Sequence, residues 1–358
     1  MAKTFQIATF NALNLLHPGV YFAGRSDAPY KQEVYDDKVA WIARTLKEGN
    51  VDLVGFQELF SEQALKDVTL KAELPSFYAP DLAGGKNITT ASNGKQEARG
   101  PFVGLATRFP ILSTETISDF PAGTNGLQLQ PEDNGPVVTV PVTRFQRPVI
   151  QAEVELKPGV NATVFVTHLK SKRPQFLPAD KDHEKEPLVI AAGNARSLII
   201  RAAEAIALRT LVVKATEGNT KPVILFGDLN DDLNAVTTQL IAGEEPYRFA
   251  PFDEKKAIWD RLLYSVHDME MEESYRDVSY THIFNGRYEL LDHVFVSEEF
   301  SPKNRDAIAR VGHTRIFNDH LRDERRVENP GRGPSPRSDH GIPVTEIVWP
   351  KETPPTPA

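Results

Sequence analysis

The strongest constraint in this chain is a repeated pattern: short runs rich in Val, Ile and Phe that each end on, or enclose, a lone polar side chain of similar chemistry. Asn11 ends ATFN, Glu58 follows Gln57 in GFQE, and His168 ends FVTH. Asp228 and Asn230 close ILFGDLN, Asp292 lies inside LLDHVF, and Asp339-His340 opens the run GIPVTEIVW. The runs themselves read as β-strands, together with FVGLAT and VIQAEVEL. Between them, Tyr35, Val39, Ile42 and Leu46 recur at helical spacing before a Gly49-Asn50 stop. A second helix is expected over 191–215, with Leu198, Ala202, Ala205, Leu208 and Val212 on one apolar face. Strand-then-helix units mixed with direct strand successions predict an α+β fold whose mixed sheets are covered by helices, rather than a purely parallel doubly wound sheet.

Composition narrows the chemistry. With 40% hydrophobic and 25% charged residues the chain is that of a globular protein, which excludes disorder, collagen and membrane spans. There is no cysteine, so disulfides, thiolate metal sites and cysteine nucleophiles are excluded, and any metal must be held by oxygen or imidazole. The net charge of −8 argues against wrapping nucleic acid by charge alone, but leaves room for a local basic groove. The opening MAKTFQIATFN lacks the apolar run of a secretory signal, which points to the cytoplasm, or to secretion if a leader was trimmed. No repeat and no composition shift divides the chain, so residues 1–349 are expected to form one catalytic domain that acts as a monomer, followed by a proline-rich disordered tail over 350–358. Long polar connections are expected over 81–100, 119–148, 171–193 and the arginine-dense 313–337.

Each polar residue alone has a plain explanation: Asn and Asp are ordinary turn residues, and a single buried histidine is usually structural. Jointly they suit one reaction. Their oxygens are hard ligands for Mg²⁺ or Mn²⁺, and a histidine beside an acid is poised for proton transfer near neutral pH. Phosphoryl-group hydrolysis needs that combination.

The series NALN, FQE, FVTHLKSK, GDLN, LLDHVFVS and SDHG, in this order, resembles the endonuclease/exonuclease/phosphatase superfamily of metal-dependent phosphodiesterases and phosphatases. The resemblance implies a four-layer sandwich, two mixed sheets flanked by helices, with the site where strand ends of both sheets meet. It also implies that Glu58 binds a divalent cation, Mg²⁺ or Mn²⁺, with Asn11 and Asp339 contributing. His340 would serve as general base, oriented by Asp292, while Asp228 positions or activates water and Asn230 and His168 donate to phosphate oxygens. Arg147 and Lys170 would contact substrate, and Arg201 would brace its helix. Ala12 stands where relatives often carry tryptophan, and the doublet within the fifth motif, DY or DH in relatives, is Asp292-His293.

RFQRPVIQAEVEL before VFVTHLKSK resembles the bacterial branch read mostly as nucleases, so nucleic acid, DNA or RNA, is the expected substrate. A phosphodiesterase or phosphatase for a phospholipid head group, inositol phosphate or nucleotide is the alternative. A catalytically silent binding module on this fold would require loss of a metal or base residue, and none is missing.

Overall fold

The computed structural model describes residues 4–24, 28–80, 87–124, 127–130, 133–244, 251–273, 279–284, 287–302, 304–321 and 335–350. Two six-stranded sheets organise them. In chain order their strands, with the helices that pack on them, are β1 (Thr4–Leu15), α1 (Gln32–Glu48), β2 (Val51–Leu59), α2 (Glu62–Ala72), β3 (Ser76–Tyr78), β4 (Phe102–Thr107), β5 (Ile111–Asp119), β6 (Arg144–Lys157), β7 (Val160–His168), α3 (Pro187–Thr216), β8 (Val223–Asp228), α4 (Val236–Ala242), β9 (Tyr264–Ser265), β10 (Asp292–Val296), β11 (Arg310–Phe317) and β12 (Ile342–Val348).

The first sheet runs β11-β12-β1-β2-β4-β3 and the second β5-β6-β7-β8-β10-β9. Each has one parallel pair at its centre, β1 with β2 and β7 with β8, and antiparallel neighbours outside it. The parallel pairs require crossovers, which α1 and α3 supply. The two halves therefore repeat one another strand for strand.

Three apolar clusters define the layers. Ile7, Leu53, Val103, Ile150, Val164, Ile224, Phe226 and Val294 pack the sheets face to face. Phe10, Val54 and Phe56 on the far side of the first sheet meet Val39, Ile42, Leu65 and Val68 of α1 and α2. Phe165 and Leu225 on the far side of the second meet Leu208 and Val212 of α3 and Ile241 of α4. The result is the expected helix, sheet, sheet, helix sandwich. Central strands covered on both faces explain why LVGF of β2 and VILF of β8 carry no polar residue. The sheets approach closely at Gly55: a Cβ there would sit 2.7 Å from Cβ of the fully buried Phe226.

Strand alternation then places the polar ends. On β1, Phe5 and Ile7 face the second sheet, and position 11 keeps that parity; Val164 and Val166 do the same for His168, Ile224 and Phe226 for Asp228, and Val296 and Val294 for Asp292. Pairing sets His168 opposite Asp228 and Asp228 opposite Asp292. Four polar side chains thus continue the inter-sheet faces of four strands and meet at one end of the crevice between the sheets.

Several expectations need correction. Leu198 is exposed, because the first half of α3 buries Ser197, Arg201 and Glu204 against the polar loop after β7 instead of an apolar layer; Ala205, Leu208 and Val212 are buried as expected. Helix α3 also begins at Pro187, whose fixed φ and missing N–H suit the first turn, which shortens the connection after Ser171. The segment from His313 opens as strand β11 because it pairs with β12; 322–334 lie outside the described residues. Short hairpins, Ile88–Thr90 with Gln96–Ala98 and Leu127–Leu129 with Val138–Val140, occupy two of the expected loops. The tail beyond Pro350 lies outside the described residues. Among the described residues no helix is long and apolar enough to cross a membrane.

Candidate active site

Asp228, at the end of β8, is the hub. Its Oδ2 accepts from Asn11 Nδ2 at 2.9 Å, lies 3.4 Å from His168 Nε2 and 3.9 Å from His340 Nε2. Its Oδ1 accepts from the backbone N–H of Asn230 at 2.9 Å. Behind His340, Nδ1 meets Oδ2 of Asp292 at 2.7 Å. Ligand atoms of Asp228, Asp292 and His340 all lie within 4.8 Å of one another. Residues separated by more than three hundred positions are thereby gathered into one buried cluster.

Backbone geometry at the strand ends fixes these side chains. Leu13, Asn14, Glu58 and Asn230 all have positive φ, between 47° and 58°. Asparagine tolerates this region, whereas Leu and Glu adopt it at a cost of about 1–3 kcal/mol that surrounding structure must offset. The offsets are visible: Leu13 N donates to Asn11 Oδ1 at 3.0 Å, and Asn14 N to Glu58 Oε2 at 3.0 Å. Register shifts in the β1–β2 and β2–β4 ladders mark the same spot. Glu58 falls in the irregular step between the paired positions Gln57 and Leu59, so its direction is set by the bulge rather than by strand parity.

Electrostatics divide the two histidines. Burial pushes His340 down, but the charge and hydrogen bond of Asp292, with Asp228 and Asp339 adding to them, hold it well above the usual imidazole value. Burial, then the charges of Arg147 and His340, hold His168 well below it, as a neutral ring. Burial raises Asp228 to about 7, opposed by His340 and reinforced by Asp292.

Two functional candidates escaped the sequence reading. Ser338 donates to the Asn11 carbonyl at 2.7 Å and accepts from His340 N at 3.0 Å, tying the turn before β12 to the end of β1. Lys38 on α1 is fully buried; Nζ donates to the carbonyls of Leu13 at 2.8 Å and Ser335 at 3.3 Å and to Tyr30 Oη at 3.3 Å. Burial pushes its ammonium down to about 7, while the carboxylates of Asp339 and Glu58 pull it back up. Its signal in the sequence is a lysine on the apolar stripe of a helix, three residues after Tyr35 and four before Ile42.

The remaining candidates sit around this hub. Arg147 donates to the carbonyls of Leu169 at 3.0 Å and His168 at 3.5 Å, so it braces the turn that carries His168. Lys170 folds its ammonium onto Ser171 and Arg173 carbonyls at 3.2 Å, and its backbone N–H donates to Glu204 at 2.7 Å. Arg201 pairs with Asp231 at 2.8 Å and with the Lys170 carbonyl at 3.0 Å. Asn230 Nδ2 donates to the Leu169 carbonyl at 3.1 Å.

The donor set beside Lys38 suits a hard divalent ion: the carboxylates of Glu58 and Asp339 and the amide of Asn11 are oxygen ligands, and two carboxylates share one protein ammonium, which leaves negative charge for a cation to offset. Comparison with known proteins then decides the family. The model of the Endonuclease/Exonuclease/phosphatase family matches residues 8–340. The chain belongs to that family. Among solved structures, an endonuclease/exonuclease/phosphatase family protein from Bacteroides thetaiotaomicron superposes with a TM-score of 0.51 at 15% identity, covering 98% of this chain and 100% of that one. A humanized D. rerio TDP2 gives 0.51 at 15% identity, over 96% and 98%. The mannosyl-6-phosphatase of Bacteroides thetaiotaomicron VPI-5482 gives 0.49 at 16%, over 96% and 100%. At these identities the likeness is one of fold. No curated protein sequence matches the chain. As a member of the endonuclease/exonuclease/phosphatase family, the protein is a hydrolase of that family.

Proposed function

We propose that this family member is a divalent-metal-dependent phosphodiester hydrolase acting on nucleic acid. The observation that carries the reading is the meeting of Asn11, His168 and His340 on one carboxylate oxygen of Asp228, with Asp292 behind His340. An acid, an oriented imidazole and amide donors around one point form a site for in-line attack of water on phosphorus.

In this reading Asp292 fixes the tautomer and ring plane of His340, whose Nε2 takes the proton from the attacking water. Asp228 orients that water. The neutral His168 and Asn230 donate to the phosphate oxygens as charge develops there. Glu58 and Asp339, with Asn11, would hold Mg²⁺ or Mn²⁺, which supplies Lewis-acid polarisation of the phosphate and offsets its charge.

The nucleic-acid assignment is supported by the basic groups around Lys170, whose ammonium feels the charges of Arg147, Arg201 and Arg173, offset in part by the buried carboxylate of Glu204. These groups lie beside the turn after His168, where flanking backbone phosphates would pass. A small phosphoester is the second reading, favoured by the internal pairing of that loop: Lys172 bonds Glu289 at 3.0 Å, and Lys170 its own loop carbonyls. We further propose one catalytic domain over 1–349 acting as a monomer in the cytoplasm. Parallel assays on supercoiled DNA, single strands, RNA, lipid head groups and inositol phosphates, with salt varied, separate the two substrate readings. Affinity for oligonucleotide that falls steeply with salt supports the nuclease; salt-insensitive preference for a small phosphoester overturns it.

A further inference from the structure

A histidine outside the proposed machinery completes a second donor set beside it. His282 begins a short hairpin, His282–Phe284 with Arg287–Glu289. Its backbone forms an antiparallel bridge with His340, and the neighbouring Gly341 N–H donates to the Thr281 carbonyl at 2.6 Å. Thr281 Oγ1 in turn accepts from the backbone N–H of Leu291 at 3.0 Å and Asp292 at 3.2 Å. The hairpin is therefore laced to both halves of the Asp292–His340 pair, and the rings of His282 and His340 lie 4.9 Å apart. Ligand atoms of His282, Asp339 and His340 fall within 4.8 Å of one another, and Nδ1 of His282 is buried with no hydrogen-bond partner among the described residues.

We propose that His282, Asp339 and His340 form a site for a transition-metal ion of the zinc class, and that filling it shuts off the active site. Two imidazoles and one carboxylate are the donors that Zn²⁺, Co²⁺ and their neighbours take in preference to Mg²⁺, whereas the Glu58 side offers oxygen alone. A tetrahedral ion with bonds of about 2.0–2.1 Å sets its donors about 3.3 Å apart, so a small rotation of the exposed Asp339 carboxylate and the half-buried His282 ring closes the set. The second shell is already present: metal-bound histidines commonly donate their other ring nitrogen to a carboxylate, and Asp292 holds Nδ1 of His340, leaving Nε2 to ligate. Coordination would occupy the lone pair that the proposed reaction needs as a base and would draw Asp339 away from the hard cation. The binding claim stands on the donor geometry; only the shut-off rests on the function proposed above.

The test is a titration of the chelator-stripped full-length protein with Co²⁺, read by its visible absorption in the absence of substrate. We expect saturable bands typical of a four- or five-coordinate ion with nitrogen donors, displaced by Zn²⁺ and not by equimolar Mg²⁺. They should be lost in both His282→Gln and His282→Phe, and weakened about 10- to 100-fold in affinity in Asp292→Asn. Circular dichroism identifies a variant that has failed to fold, and two different replacements guard against that. In a second arm, Zn²⁺ should inhibit Mg²⁺-supported phosphoester hydrolysis by the wild type and do so at least tenfold less effectively in His282→Gln, with turnover free of Zn²⁺ retained. Absence of Co²⁺ bands, or bands unchanged in both His282 variants, overturns the site. Bands that depend on His282 alongside undiminished Zn²⁺ inhibition in His282→Gln overturn the shut-off. A wild type without phosphoester turnover sinks the function and leaves the Co²⁺ arm to decide the site alone.

Discussion

Nδ1 of His340 and Oδ2 of Asp292 are 2.7 Å apart, and both side chains are buried. Charge stabilisation by Asp292 is the leading influence that raises His340 against the effect of burial. Replacing Asp292 with Asn should therefore lower the His340 pKa. If His340 is the base, the acid limb of the pH–rate profile should move to lower pH while the maximal rate drops, because the tautomer is no longer fixed. A profile whose acid limb stays in place, measured with a phosphoester substrate from the acidic into the alkaline range, contradicts this assignment.

Lys38 fastens the end of β1 that carries Leu13 and Asn14 to the segment leading into Asp339. Lys38→Met keeps the bulk of the side chain and removes the ammonium. Loss of these buried hydrogen bonds should cost about 1–3 kcal/mol of stability, and freeing both segments should raise the Mg²⁺ concentration needed for half-maximal activity. Denaturant unfolding and a metal titration check the two parts; a variant unchanged in both removes Lys38 from the site.

His267 is buried with both ring nitrogens lacking partners among the described residues, and burial, with the charge of His293 adding to it, pushes it down to about 3. The unfolded chain, near 6.5, binds a proton that the folded chain refuses. This contribution to stability is whole above about pH 6.5 and is lost as the pH falls towards 3, with a slope of up to about 1.4 kcal/mol per pH unit. In His267→Leu that slope should flatten. An unaltered acid-unfolding curve would show that His267 is protonated in the native state.

At Gly55 the two sheets pack closely, the glycine lying against the Phe226 side chain. Gly55→Ala would press a methyl group onto the Phe226 side chain, which is enclosed on all sides, and overpacking of this kind typically costs about 1–3 kcal/mol. Thermal unfolding measures it; an Ala variant as stable as the wild type would mean that the sheets can separate locally at no cost.

These relationships differ in how far the sequence discloses them. The strands and their polar ends were legible because apolar alternation is a local property: Ile224, Phe226 and Asp228 share a parity that continues from core to site. Glu58 was legible as a strand end, but its left-handed backbone and bulge were not, since they depend on pairing with β1 and β4. Leu198 misled because helical spacing identifies a face without saying what that face meets, and there it meets water while Arg201 and Glu204 meet the loop after β7. Ser338, Lys38 and His282 act through contacts across as many as 327 positions, to which no local pattern corresponds.

The central claim is that Asp228 is the point on which the reacting groups converge. Its most direct test is the rate of phosphoester hydrolysis by wild type and Asp228→Asn, each with Mg²⁺ and with excess chelator. We predict metal-dependent turnover in the wild type, abolished by chelator and reduced at least about 10²- to 10³-fold in Asp228→Asn, with a nearly unchanged melting temperature. Equal rates in the two proteins, or full activity in chelator, would contradict the account.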